Sequence, residues 1–371
     1  MVDRTGYEVT TYRIDGEYAD GRHPEHVTFT ASLLEDLKRR DFTINAMAYS
    51  PAEGLVDEFD GIGDINRRVI RAGGDPVQRF TEDALRMMRA IRFSAQLDYR
   101  IDEDTREGIR LLAPNLQKVS AERIRVELEK LLLSEHPEEL KEAYELGLLR
   151  QFLPELSECM ECGQNNPHHC LSVGDHILCA VKAARRNKVL RLALLLHDIA
   201  KPQVKTTDEN GIDHFHGHAA RSAALADRIL RDLKYDNQTR EAAVRLIAWH
   251  DCNLGDSLPE IRKSISELGE EWFLPLLEVK TSDVEAQSDY QRDEKLGKIE
   301  YWRNAFEEIR CAGDCLSLKD LAVSGKDLIA AGAAPGREIG RILHEMLEEV
   351  LREPAHNTRE YLLEKWQNQQ L

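Results

Sequence analysis

From about Phe80 onward, apolar residues return at three- and four-residue steps, and this period constrains the fold more than any other feature of the chain. Leu85, Met88, Ile91 and Ala95 make one such run; Ile124, Leu128 and Leu131 make another. A stripe of that period lies on one face of a helix and has to be buried against neighbours. The pattern breaks at prolines, among them Pro114, Pro154, Pro167, Pro202, Pro259, Pro335 and Pro354. No self-similarity at the roughly 20–50-residue spacing of stacked repeats is present, which excludes a solenoid. The stretch before Phe80 differs. Tyr7-Glu8-Val9-Thr10-Thr11-Tyr12-Arg13 is β-branched and aromatic and follows a Thr5-Gly6 turn signal, so a strand is predicted there. Residues 42–49 and 69–71 are the other short apolar stretches of this region. The expected fold is mainly α with an N-terminal α+β remnant, divided into blocks at 1–72, 73–155, 160–290 and 291–371.

The 371 residues carry 50 basic and 67 acidic side chains, a formal net charge of −17. That balance excludes a generally basic nucleic-acid binder but leaves room for a local basic groove. Arginine concentrates between Lys38 and Arg100, and the groove is expected there, with Arg67 and Arg68 contributing. Seven cysteines, an odd number in a long chain, fit reduced thiols and a cytoplasmic setting. The absence of an apolar run near ~18 residues excludes a spanning helix, so no membrane partner is expected.

Two segments carry candidate nucleotide chemistry. Arg39-Arg40-Asp41-Phe42-Thr43-Ile44-Asn45 sets two guanidinium groups beside a carboxylate. Forked donors match phosphate oxygens, whereas a solvated basic run is the plain alternative. The second segment is Glu82-Asp83-Ala84-Leu85-Arg86-Met87-Met88-Arg89-Ala90-Ile91-Arg92. Thr81 is the expected helix cap, and the three-residue spacing of Asp83, Arg86, Arg89 and Arg92 puts neighbours on one face. Cytosine and adenine each present an amino donor beside a ring-nitrogen acceptor. Asp83 can only accept and Arg86 can only donate, so the pair complements both bases and repels guanine and uracil. An ordinary intrahelical salt bridge is the alternative for the same spacing.

The strings RRDFTINAMAY and DPVQRFTEDALRMMRAIRF resemble those of the class II tRNA nucleotidyltransferases, the CCA-adding enzymes and their poly(A) polymerase relatives. The resemblance implies a nucleotidyltransferase palm at 1–72, a helical neck at 73–155 with the base-recognition motif, and a helical tRNA-binding tail at 291–371. It implies template-independent addition of CCA to tRNA from CTP and ATP, with Mg2+ for the transfer. Arg40 and Asp41 would lie by the triphosphate and sugar, Asp83 and Arg86 would read the base, and Arg89 and Arg92 would extend the phosphate contacts. Residues 18–27 resemble the flexible loop used in adding the final A. Members of the family begin with a phosphate loop and an Asp-x-Asp pair for two metals, which this sequence does not match ahead of Glu8. A truncated palm with impaired transfer is therefore expected, with Glu8 as a metal-side carboxylate.

A second constellation lies within 160–290. His176, His197-Asp198, His214, His216, His218 and His250-Asp251 crowd a helical stretch, and His197-Asp198 closes the apolar run of residues 192–196. An adjacent His-Asp pair leaving a buried helix can supply two ligands to one ion that activates water. The arrangement resembles the HD superfamily of metal-dependent phosphohydrolases. His176, His197, Asp198 and Asp283 would hold a divalent metal of unspecified identity, and His218, His250 and Asp251 match accessory positions. Cys159-x-x-Cys162 with His168, His169 and Cys170 invites a structural zinc, but the family's entry to the HD domain accounts for these histidines. Residues 325–340 resemble the tail that holds the tRNA elbow. Three other readings stand beside CCA addition: a poly(A) polymerase or A-adding enzyme, an HD phosphohydrolase with a defunct nucleotide site, and a non-catalytic tRNA-binding module.

Overall fold

The structure, a computed structural model, describes residues 9–16 and 26–368. Glu8 and most of the 18–27 segment lie outside the described residues. The expected strand at 7–13 is displaced: residues 9–12 are not strand, and β1 (Arg13–Asp15) begins where antiparallel pairing with β2 (Val27–Phe29) becomes available. α1 (Leu33–Lys38) starts at Ser32, whose hydroxyl accepts from the Glu35 amide at 3.4 Å. β3 (Ala48–Ser50) and β4 (Gly54–Val56) form a hairpin, α2 (Gly61–Arg67) follows, and β5 (Val69–Ile70) comes next.

The helical body starts at α3 (Pro76–Glu82), which Asp75 caps through the Val77 amide at 3.0 Å with proline at the first helical position. α4 (Leu85–Leu97) leads into β6 (Arg100–Ile101), which pairs in parallel with β5, so α3 and α4 form the crossover that parallel strands require. α5 (Glu103–Leu112) and α6 (Ala121–Leu132) follow, and α6 packs along α4, burying Met88, Ile91 and Ala95 together with Ile124, Leu128 and Leu131. α7 (Leu140–Glu145), α8 (Leu149–Phe152) and α9 (Pro154–Glu161) lead to α10 (Val173–Ala183) and α11 (Lys188–Leu196), capped by Ser172 and Asn187. α12 (Lys201–Val204), the hairpin β7 (Thr206–Thr207) and β8 (Asp213–His214), and α13 (His218–Asp232) complete this part.

Two compact units divide the chain, 1–244 and 245–371, a coarser partition than the four expected blocks; the boundary falls inside α14 (Asn237–Trp249). The second unit contains α15 (Leu258–Leu268), α16 (Glu270–Glu285), α17 (Arg292–Ala312), α18 (Gly325–Ala330), α19 (Arg337–Arg352) and α20 (Arg359–Asn368). Its core stacks Phe273 of α16 on Phe306 of α17 at 5.1 Å. Gly332 and Gly336, at φ 106° and 138°, make the turn between α18 and α19, where a side chain would be strained.

Inside the first unit one buried cation holds helix ends together. Arg191 of α11 donates to the carbonyls of Leu132 and Ser134 past the end of α6, and to the Ala184 carbonyl at the end of α10 at 2.9 Å. Helix C-termini leave carbonyls unpaired and partially negative, so a guanidinium there satisfies both requirements.

Candidate nucleotide site and histidine cluster

A pocket of about 500 Å³ opens between the segment after α1 and the start of α4, lined by Arg39, Arg40, Asp41, Asn45, Asp83, Leu85, Arg86, Arg89, Phe93 and Arg123. Asp36, buried under this rim, accepts from Arg39 Nη2 at 2.8 Å and Arg40 Nη2 at 3.3 Å. Burial alone would raise the Asp36 carboxyl, but Arg39 and its other donors bring it below its ordinary value. Asp41 accepts from its neighbour's amide and from Asn45 on one oxygen, and from Arg89 Nε at 2.7 Å on the other.

The pair expected to read the base is built differently from the sequence expectation. Asp83 is not on a helical turn: it sits in extended backbone (φ −146°, ψ 104°) at the break between α3 and α4. Its carboxylate, rather than Thr81, supplies the start signal of α4, accepting from the Leu85 amide at 3.1 Å; Thr81 lies inside α3. The intrahelical Asp83–Arg86 bridge gives way to other partners. Arg86 bonds Glu82 at 2.7 Å and the carbonyls of Arg79 and Arg39, and Asp83 takes Arg123 Nη2 of α6 at 2.7 Å. The break turns both side chains into the same pocket.

Arg92 does not line the pocket. It is buried, bonds Glu127 Oε2 of α6 at 2.8 Å, and lies 3.6 Å from the centre of the Phe93 ring. The sequence carried the signal for this. Leu85, Met88, Arg92 and Ala95 stand at steps of three, four and three, and Ile124, Glu127 and Leu131 at steps of three and four, so both charges ride on buried stripes. Arg123 and Glu127, one turn apart on α6, were missed because their partners are 40 and 35 residues away. Arg67, expected in a basic groove, is half-exposed and is held by Asp60 at 2.6 Å and by buried Asp64 at 2.7 Å.

The second constellation is split by the unit boundary: His176, His197, Asp198 and His218 belong to the first unit, and His250, Asp251 and Asp283 to the second. In the first unit His176 Nε2 lies 3.3 Å from His197 Nε2 and 3.5 Å from Asp198 Oδ2, which in turn is 3.3 Å from His197 Nε2. His218 Nε2 is 3.3 Å from the other Asp198 oxygen. His176, His197 and Asp198 are essentially without solvent contact. His197 Nδ1 is 2.7 Å from the Leu194 carbonyl and His218 Nδ1 is 2.9 Å from that of Phe215. Each Nδ1 therefore carries the proton as donor, which points the Nε2 lone pair at the Asp198 carboxylate. Imidazole nitrogens converging on one carboxylate, with each ring oriented through its other nitrogen, make a donor set that fits a divalent metal. His250 repeats the device in the second unit, its Nδ1 2.7 Å from the Ile247 carbonyl. Asp251 is exposed, and Asp283 accepts from Gln287 at 3.2 Å. Cys159, of the discounted zinc motif, is buried with its thiol 3.5 Å from the Ile199 carbonyl. Burial pushes that thiol well above its ordinary pKa.

The architecture is that of a mainly α nucleotidyltransferase. It matches the crystal structure of the Bacillus stearothermophilus CCA-adding enzyme in complex with CTP at a TM-score of 0.66 and 28% identity, covering 99% of this chain and 81% of that one. Family models match residues 1–71 as poly A polymerase head domain, 98–160 as an RNA and SrmB-binding site of polymerase A, and 206–366 as tRNA nucleotidyltransferase domain 2. The CCA-adding enzyme of Leuconostoc mesenteroides is 55% identical over 149 residues, 40% of this chain and 36% of that protein. That of Limosilactobacillus reuteri is 34% identical over 97% of this chain and 78% of its own length. The chain belongs to the CCA-adding enzyme family of tRNA nucleotidyltransferases.

Proposed function

We propose that the chain adds CCA to the 3′ end of tRNA without a nucleic-acid template, drawing on CTP and then ATP in the cytoplasm. The observation that carries this reading is the delivery of Asp83 and Arg86 into one arginine-lined pocket by the break between α3 and α4. Asp83 would accept the amino proton of cytosine or adenine, and Arg86 would donate to the neighbouring ring nitrogen. Arg40 and Arg89 would hold the triphosphate, with Asp41 orienting Arg89 and standing near the sugar. The tRNA 3′ hydroxyl would bond to the α-phosphorus as pyrophosphate leaves, and the hydroxyl proton would pass to a base.

Magnesium ions neutralise the leaving pyrophosphate in such a transfer. Among the described residues, the carboxylates lining the pocket are tied to Arg89 and Arg123, so they do not fit as a two-metal pair. No step is assigned to a metal on them, and Glu8 is the proposed metal-side carboxylate. The test is transfer of labelled nucleotide to tRNA ending at the discriminator base. Incorporation of CTP before ATP is expected, and addition of A alone would replace this reading with an A-adding enzyme.

The His176–His197–Asp198 cluster favours a second activity, metal-dependent hydrolysis of phosphate esters. Manganese-dependent cleavage of bis(p-nitrophenyl) phosphate should disappear in Asp198→Asn and persist in Asp83→Ala. Loss in both variants, or in neither, would remove it.

A further inference from the structure

The histidine cluster already contains a cation that the metal reading does not use. Lys201, three residues after Asp198, is buried, and its Nζ lies 2.6 Å from Asp198 Oδ2. That oxygen is the one that faces His176 and His197 at 3.5 and 3.3 Å. The ammonium is fixed from two other sides: it donates to Gln164 Oε1 at 3.2 Å and stands 5.2 Å from the centre of the Phe215 ring. An ammonium has three donors and no lone pair, so it can never be a metal ligand alongside this carboxylate. It can only compete with an ion for the same oxygen or repel that ion from close range.

We propose that Lys201 is the built-in competitor of the His–Asp cluster and sets its affinity for divalent ions. This inference rests on the cluster being a metal site. The Nε2 lone pairs of His197 and His218 and the Asp198 carboxylate form a concentrated acceptor set, buried at His197 and Asp198 and partly exposed at His218. With Lys201 as partner, the carboxylate stays charged and in place without an ion, because a buried charge is tolerated when it is paired and hydrogen-bonded. A divalent ion entering between the imidazoles must take Asp198 Oδ2 from Lys201 and accept a positive charge at short distance in a medium of low dielectric. Both effects weaken binding, and the repulsion grows with the charge of the ion. The site is accordingly one that fills only at high free-metal concentration, and Lys201 rather than the number of ligands imposes that threshold.

The experiment is calorimetric titration of the full chain with manganese chloride, comparing wild type, Lys201→Met, Lys201→Arg and Asp198→Asn. Lys201→Met keeps the length and apolar stem and removes the charge. It should bind manganese at least ten-fold more tightly than wild type in the component that Asp198→Asn abolishes, whereas Lys201→Arg should stay at the wild-type value. A thermal melt accompanies each variant, and Lys201→Gln takes the place of Lys201→Met if that chain does not fold. Tighter binding in Lys201→Met when wild type binds nothing also supports the proposal. Unchanged or weaker binding in the neutral variants, with the Asp198-dependent component present, overturns the role of Lys201 alone. No Asp198-dependent component in any variant overturns the metal site itself and the inference with it.

Discussion

The pocket at Asp83 and the cluster at Asp198 use the same residue types in opposite ways. In the pocket, charges face one another as ion pairs: Asp83 with Arg123, Asp41 with Arg89, Arg86 with Glu82. Asp41, Asp83, Arg86 and Arg89 also line the open pocket, so a ligand entering it can exchange with their present partners. In the cluster, imidazole nitrogens and the Lys201 ammonium converge on one buried carboxylate, and carbonyls of Leu194 and Phe215 fix which nitrogen is protonated. A region of exchangeable pairs suits discrimination among similar ligands. A region of converging lone pairs suits one cation.

That comparison breaks most visibly if the two regions are coupled. Asp83→Ala should lower kcat/KM for CTP addition by about 100-fold or more, since Arg86 would face the base without its complement. Asp198→Asn should leave CTP addition unchanged, and a transfer assay on both variants decides. The next effect concerns what supports the pocket. Glu127→Gln should cost about 3 kcal/mol in urea unfolding, because it leaves Arg92 buried without a counter-charge. The double change Arg92→Met, Glu127→Met should recover most of that loss, since an apolar pair of similar volume removes the need for compensation.

A smaller effect sharpens what burial does to a cation whose direct hydrogen-bond partners are carbonyls. Lys280 of α16 donates to the His250 and Cys252 carbonyls at 2.6 and 2.7 Å, and burial pulls its pKa down to about 8. Between pH 8 and the ordinary lysine range the folded state has released this proton while the unfolded chain still holds it. Stability should therefore rise with pH through that window relative to Lys280→Met, by about 2 kcal/mol, read as an upward shift of the wild-type melting temperature relative to that of the variant. The smallest effect is expected at Glu349, where Lys365 at 2.7 Å, with His356 and Tyr361, holds the carboxyl down to about 2. This contribution is complete above the ordinary glutamate range and fades as pH falls toward 2. Glu349→Gln should cost about 1 kcal/mol at neutral pH, after allowance for solvent screening.

The helical body was legible because its period runs almost unbroken from Phe80, and the base-reading and histidine constellations stood out by their chemistry. Their geometry was less so. The pattern reads as a helix that starts from a cap at Thr81, and nothing in the period shows that the helix begins only after Asp83, whose carboxylate gives the local start signal. Arg123 was invisible for another reason: its partner comes from a different helix, and tertiary pairing of charges leaves no local trace. The burial of Arg92 was legible but overruled by the motif, since an arginine in a string expected to bind phosphate draws attention away from the apolar stripe it occupies. The strand near the start failed because three-residue strands exist only through a partner.

The parallel pairing of β5 with β6 has a consequence for how the pocket comes apart. Arg79, Asp83, Arg86, Arg89 and Arg92 all lie between these strands in the chain, inside the loop that the pairing of Val69 with Arg100 and of Ile70 with Ile101 closes. Opening that pair releases both ends of the segment together, although α3 also packs on α5 and α4 on α6. A shared opening event would give the amide hydrogens of both helices matching exchange rates, and loosening the short parallel pair would then disturb the placement of Asp83 and the arginines in the same step.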